Sequence, residues 1–374
     1  MANMSNVIGL VFADMHDSTI TDLTKIRTMG SVPFGARYRL IDFALSNLVN
    51  SGVNTVGVVT KANYQSLLDH LGPGAEWDLA RKYGGLQLLP PYGHIGGGLY
   101  RGRMEALAGV KGFIQRSTAE YVIIADTDII ANIDMSKVVD YHIDQNADIT
   151  IVYGKKYYPN ELMLSKTVLS VGEDGHIYEV FVRPNREGEA NTSMNIFVLK
   201  KQFLLDLITD TSSRNLYSFE VDVIQKKLKE YRIYGYRYTG YYEQIDSLLT
   251  YFRANMALAD KSKRDELFDL SRPIYTKLRD DAPAKYGIDA AVKNSLIADG
   301  CSIEGVVENC VLFRGVRIGR GTRVRNSILL QDTVVGDKCD LNYVITDKNV
   351  TVGSYKSMIG TDDYPVFVTK GATV

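Results

Sequence analysis

The stretch Arg317-Ile-Gly-Arg-Gly-Thr-Arg-Val324 decides the second half of the fold. Its two aliphatic side chains, Ile318 and Val324, stand six residues apart with glycine, arginine and threonine between them. The spacing continues outward to Leu312 and Leu330, and Ile297 and Ile303 share it. Val335 and Leu341 rejoin it after a one-residue shift. One inward aliphatic side chain every six residues, with small or polar residues at the corners, marks a parallel β-helix of hexapeptide repeats. The reading places it at 292–374. Hexapeptide β-helices often serve acyl transfer with a histidine base in or near the helix. All five histidines here (His16, His70, His94, His142, His176) precede it, so it reads as a stacking and oligomerisation module.

Upstream the period changes. Val7–Ala13 is a mostly apolar run suited to a buried parallel strand. Ile41, Leu45, Leu48 and Val49 share one helical face, and Gly52 stands where that helix should end. Thr55–Thr60 and Tyr121–Asp126 read as strands, Arg103–Gln115 and Met135–Asn146 as helices. This alternation predicts an α/β domain over 1–260 with a mostly parallel sheet. Residues 261–291, with the breakers Arg272-Pro273 and Ala282-Pro283, read as the linker. Ligands of such sheets sit beyond the carboxyl ends of the strands, which points to Asp14–Ile20 and Asp126–Asp128.

Composition narrows the function. Lysine plus arginine number 43 against 44 acidic residues in 374, without a long basic run, which argues against nucleic acid as a partner. No signal-peptide pattern and no long apolar window appears, so a cytoplasmic protein off the membrane is expected. Cys301, Cys310 and Cys339 fit no zinc spacing and read as reduced packing thiols.

Ser31-Val-Pro-Phe-Gly-Ala-Arg-Tyr-Arg-Leu-Ile-Asp-Phe-Ala-Leu-Ser-Asn-Leu-Val-Asn50 resembles the N-terminal region of bacterial ADP-glucose pyrophosphorylases. The resemblance extends through Trp77–Arg81, Gly84-Gly85, Leu89–Tyr92, Tyr100–Gly102, Thr192–Phe197, Gly240–Met256 and Val307–Arg317. It implies a nucleotide-diphospho-sugar transferase (Rossmann-like) α/β domain followed by a left-handed parallel β-helix, assembled as a tetramer. The family's glucose-1-phosphate adenylyltransferase activity makes ADP-glucose and pyrophosphate from ATP and glucose 1-phosphate with Mg²⁺.

Against that pattern, the catalytic parts are altered. The family's Gly-Gly-x-Gly-x-Arg loop places its glycines on Asp14, Met15 and Asp17 and its arginine on Thr19. Glycines let backbone N–H groups approach phosphate, whereas two aspartates would repel it by roughly 4 kcal/mol per pair at about 4 Å and an effective dielectric near 20. The resemblance assigns the two metal aspartates to Asp128, which is retained, and to Gln244, where the carboxylate is lost. Asp246 is a candidate substitute or a helix cap. Asp126 reads as a cap or turn residue. Arg183 and Ser193 are the candidate sugar-phosphate residues, while Val182 replaces a family glutamate. Arg103 and Met104 replace a Thr-Ala pair, which would crowd the nucleotide pocket unless Arg103 begins a solvated helix face. Met29-Gly30 removes a family lysine.

These losses imply Mg²⁺ binding that is weak or absent, and little activity in the isolated chain. The expectation is a GlgD-type regulatory subunit that modulates a catalytic ADP-glucose pyrophosphorylase subunit in glycogen biosynthesis. Its interfaces would be β-helix faces or the tyrosine-rich Tyr231–Tyr242, alternatively an edge strand. A sugar-phosphate or nucleotide effector is a further expected partner. Two alternatives stand beside it: an active adenylyltransferase using Asp128 and Asp246, and a sugar-phosphate sensor acting through Arg183.

Overall fold

The computed structural model describes residues 3–91 and 100–374. Tyr92 and His94 lie outside the described residues.

Four parallel strands form one end of a nine-stranded sheet, in the order Tyr121–Asp126, Val7–Phe12, Thr55–Val59 and, at the edge, Gly85–Leu89. Val7–Phe12 is buried along its whole length, as its continuous apolar run requires. Beyond Tyr121–Asp126 the sheet turns antiparallel. The long strand Gly188–Lys200 pairs with Tyr121–Asp126 and with Ile149–Tyr158, and the hairpin Thr167–Val171 with Ile177–Val182 extends the edge. The sheet is therefore mixed, where the sequence suggested a mostly parallel one. One of these antiparallel pairs has a local cause: Asp174-Gly175, with Gly175 at φ +83°, closes the Thr167–Val171/Ile177–Val182 hairpin in place of a helical crossover.

Leu40–Asn50 forms the expected helix, and Gly52 follows its end at φ +92°. Arg103–Gln115 is two helices, Arg103–Gly109 and Lys111–Arg116.

The C-terminal region is a three-sided prism of three parallel five-stranded sheets, the β-helix that the hexapeptide spacing predicts. Ile303, Ile318, Val335 and Val352 stack along one side. Ile318 lies beside Val335, seventeen residues on, which is one short of three hexapeptides and accounts for the shifted register. Asn294, Asn309 and Asn326 occupy left-handed corners (φ +45° to +51°), a conformation asparagine tolerates. Their side-chain amides join in a ladder that reaches Asn342.

The first coil begins at Lys285–Tyr286, inside the stretch read as linker. The preceding segment is fastened to the α/β domain: Asn50 donates to Pro273 O, Tyr275 N–H to Ser46, and Asn132 to Leu267 O and Arg272 O. The two domains share one apolar cluster, in which Phe34, Phe43 and Phe252 join Phe313, Leu330 and Ile345. Arg27 of the α/β domain also pairs with Asp347 of the β-helix at 2.9 Å, both almost fully buried.

The tyrosine-rich stretch is an edge strand, Ile233–Arg237, parallel to Ile149–Tyr158. Tyr242 is buried, Tyr236 and Tyr238 pack half-buried against the core, and Tyr231 meets Phe203 edge to face.

Candidate functional site

Register builds the site. Phe12 and Asp126 are partners on adjacent parallel strands, so the Ala13–Thr19 loop and Asp126–Asp128 leave the sheet side by side. The strand Tyr242–Gln244 then pairs with Ile129–Ala131, setting Gln244 opposite Ile129 and next to Asp128. A bulge between Ser193 and Ile196 puts Asn195 at φ +54° and brings its amide onto Asp128. These elements close one side of a 1110 Å³ cavity whose wall includes Asp14, His16, Lys61, Arg103, Arg183 and Asn195.

The loop is closed by its own aspartates. Asp14 accepts from the Lys61 N–H and Asp17 from the Met29 N–H at 2.7 Å. This corrects the expectation that both carboxylates face a ligand: each is turned to a backbone donor, and only Asp14 remains in the cavity wall. Burial pushes Asp14 up to about 6 and Asp17 up to about 7. Met15 packs against the core, and Thr19 donates to His16 O at 2.7 Å. Within the loop, the Asp17 N–H donates to Asp14 O and the Thr19 N–H to His16 O, so two of the loop's own donors are already taken.

Behind the loop lies an ion network. Arg103 is 2% exposed and grips Asp126 with both guanidinium nitrogens, at 2.6 and 2.8 Å, while Glu220 lies 3.2 Å away. Neither the solvated-face reading of Arg103 nor the capping role of Asp126 holds. Met104 points into the core and crowds no pocket. His16 Nε2 donates to Asp126 Oδ2 at 2.7 Å and lies 3.7 Å from Asp128 Oδ2. Burial opposes its charge, but the Asp128 and Asp126 carboxylates prevail and raise its pKa to about 9. Asp126 is held at about 2: Arg103 and His16 outweigh its burial. Burial is the largest influence on Asp128 and shifts its carboxyl upward.

Asp128, 1% exposed, is where the sequence placed it. Gln244 does more than lack a charge. Its Oε1 accepts from Lys166 Nζ at 2.8 Å, which turns its NH₂ toward Asp128 Oδ2, also at 2.8 Å. Asp246 is no substitute ligand, since Lys166 and Ser165 take its Oδ2 and Thr250 its Oδ1. The helix cap is Ser247. Among the carboxylate oxygens of Asp126 and Asp128, only Asp128 Oδ1 lacks a partner. Mg²⁺ requires oxygen ligands in near-octahedral array, so a set dominated by N–H donors does not fit it.

Arg183 (φ +55°) and Lys61 line the cavity, and among the described residues neither forms an ion pair. Ser193 instead accepts from the Asn195 N–H and is not in the cavity wall. His16, Asn195 and Lys166 escaped the sequence reading.

A second cationic group lies where the domains meet. Lys348 is pushed down to about 7, by burial first and then by Arg39 and Arg27. Arg314, 5% exposed, leaves Nε and Nη2 without hydrogen-bond partners, as Arg27 leaves Nη1. Arg279 is within electrostatic reach of both Arg39 and Arg314.

A nucleotidyl transferase family profile matches residues 18–261 and a GlmU-like C-terminal hexapeptide profile residues 282–365. The chain is 34% identical over 368 residues to the glycogen biosynthesis protein GlgD of Bacillus subtilis, covering 98% of this chain and 96% of that protein. It is 34% identical over 342 residues to a glucose-1-phosphate adenylyltransferase of Clostridium perfringens, covering 90% and 86%. The corresponding enzyme of Geobacillus stearothermophilus is 36% identical over 327 residues, covering 85% and 83%.

Proposed function

Because this chain belongs to the nucleotidyl transferase family, among the glucose-1-phosphate adenylyltransferases and GlgD, we propose that it is a catalytically impaired regulatory subunit in glycogen biosynthesis. Its role is to modulate a catalytic ADP-glucose pyrophosphorylase subunit within a cytoplasmic hetero-oligomer, as a tetramer. The observation that carries this reading is the closed loop. Asp14 and Asp17 bond to the backbone amides of Lys61 and Met29 at the place where adenylyl transfer needs a phosphate cradle. Losing one preorganised electrostatic donor commonly costs on the order of 10²–10³ in rate. Here the cradle, its arginine and one metal carboxylate are all replaced, while both hydrophobic domains stay intact.

An impaired subunit acts by stabilising its partner's active state across a shared interface. The cationic group around Arg27, Arg39, Arg314 and Lys348 bridges the two domains, and it supports binding of an anionic effector, a sugar phosphate or nucleotide, that would bias such a state. Arg183 and Lys61 give the sensor reading its own support, since both cations face the cavity without ion-pair partners among the described residues.

The test mixes the purified chain with the catalytic homologue from the same source. Co-elution together with a changed maximal rate or substrate affinity of the mixture is expected. Additive rates and separate elution would contradict the regulatory role.

A further inference from the structure

We propose that the His16 ring, together with Arg103, Asn195 and Gln244, saturates the Asp126 and Asp128 carboxylates with hydrogen-bond donors and so closes them to a divalent cation. The inference deepens the reading of an impaired site and rests on it.

The geometry is that of a carboxylate pair already supplied with donors. The ligand atoms of His16, Asp126 and Asp128 all lie within 4.8 Å of one another. One of them is itself a donor: His16 Nε2 sits 2.7 Å from Asp126 Oδ2 and 3.7 Å from Asp128 Oδ2. An ion bridging the two carboxylates would have to displace the ring and break that bond. It would also meet Arg103, which holds both oxygens of Asp126. On the other flank, Lys166 fixes the Gln244 amide with its NH₂ toward Asp128, and Asn195 donates to the same oxygen at 2.9 Å. Donors thus occupy three of the four carboxylate oxygens of Asp126 and Asp128, and Asp128 Oδ1 alone is left without a partner.

The loop substitutions acquire a common purpose in this view. Asp14 and Asp17 fasten the loop to Lys61 and Met29, and Thr19 holds the carbonyl of His16 by its N–H and its hydroxyl. A loop that would cradle phosphates in an active relative here delivers an imidazole to Asp126. Lys61 and Arg183 stand on the walls of the same cavity.

The experiment is Mn²⁺ titration of the full chain, with free ion read by electron paramagnetic resonance. Three proteins are compared: the native chain, His16→Ala, and the His16→Ala/Gln244→Asp double variant. The native chain is expected to show no Asp128-dependent site. The double variant should bind at least about tenfold more tightly than the native chain, on the scale by which neighbouring groups tune metal affinity. His16→Ala alone, at a side chain 27% exposed, guards against misfolding of the double variant and should fall between. Native-chain binding that Asp128→Asn abolishes would overturn the proposal, as would a folded double variant that gains no affinity. Either failure leaves the partner effect intact, since the mixing experiment measures it separately.

Discussion

Replacing Arg103 with methionine removes the guanidinium while keeping much of the side chain's volume. Asp126, 1% exposed, then loses its bidentate partner and keeps only His16. Breaking a buried pair on one side generally costs about 3–5 kcal/mol, because the remaining charge is left uncompensated. With His16 still in place, the lower end, about 3 kcal/mol at pH 7, is expected. Trp77 is the sole tryptophan and is buried in the same domain, so its fluorescence reports the urea transition. The pH dependence adds a sign. In the native chain Asp126 is depressed to about 2, so its contribution is present above the unfolded value of about 3.9 and is lost as pH falls toward 2. In Arg103→Met, burial raises Asp126 above that unfolded value. Its contribution is then full at low pH and is lost as pH rises, so the difference between the two proteins narrows as pH falls from 7 toward 5. Asp126→Asn in the methionine background should recover part of the loss, a coupling of about 2 kcal/mol. A loss below about 1 kcal/mol, flat with pH, would refute the buried network.

Asp17→Asn keeps an acceptor for the Met29 N–H and removes a charge that burial disfavours. With a folded value near 7, the aspartate's contribution is full below about 3.9 and is lost as pH rises through 7. Thermal melts should therefore show the variant more stable by about 1–2 kcal/mol at pH 8 and unchanged near pH 4; lower stability at pH 8 would contradict this. Arg27→Met leaves Asp347 charged and buried between the domains. It should cost about 3 kcal/mol and raise hydrogen exchange in the β-helix coil around Asp347, whereas unchanged exchange would mean that the ion pair does not tie the domains.

The sequence carried the β-helix because hexapeptide spacing is a local signal, repeated at Leu312, Ile318 and Val324. It also carried the helix ending at Gly52 and the position of Asp128, which follow from chain-local pattern and resemblance. The partners within the site were not legible, because they depend on register between distant strands. His16 meets Asp126 only because Phe12 pairs with Asp126, and Gln244 turns its NH₂ to Asp128 only because Lys166 holds its oxygen. Asn195 enters through a bulge that the alternating apolar pattern of its strand does not announce. The same limit explains Arg103, whose place at the start of a helix suggested solvent and whose partners lie 23 and 117 positions away. A histidine two residues from Asp14, in a loop beside a carboxylate pair, was the one clue available.

The central claim is that this chain does not itself transfer adenylyl groups. The measurement that tests it most directly is ADP-glucose formation by the purified chain alone, with saturating ATP, glucose 1-phosphate and Mg²⁺. No product above a protein-free control is predicted. Mg²⁺-dependent turnover that Asp128→Asn abolishes would contradict the account.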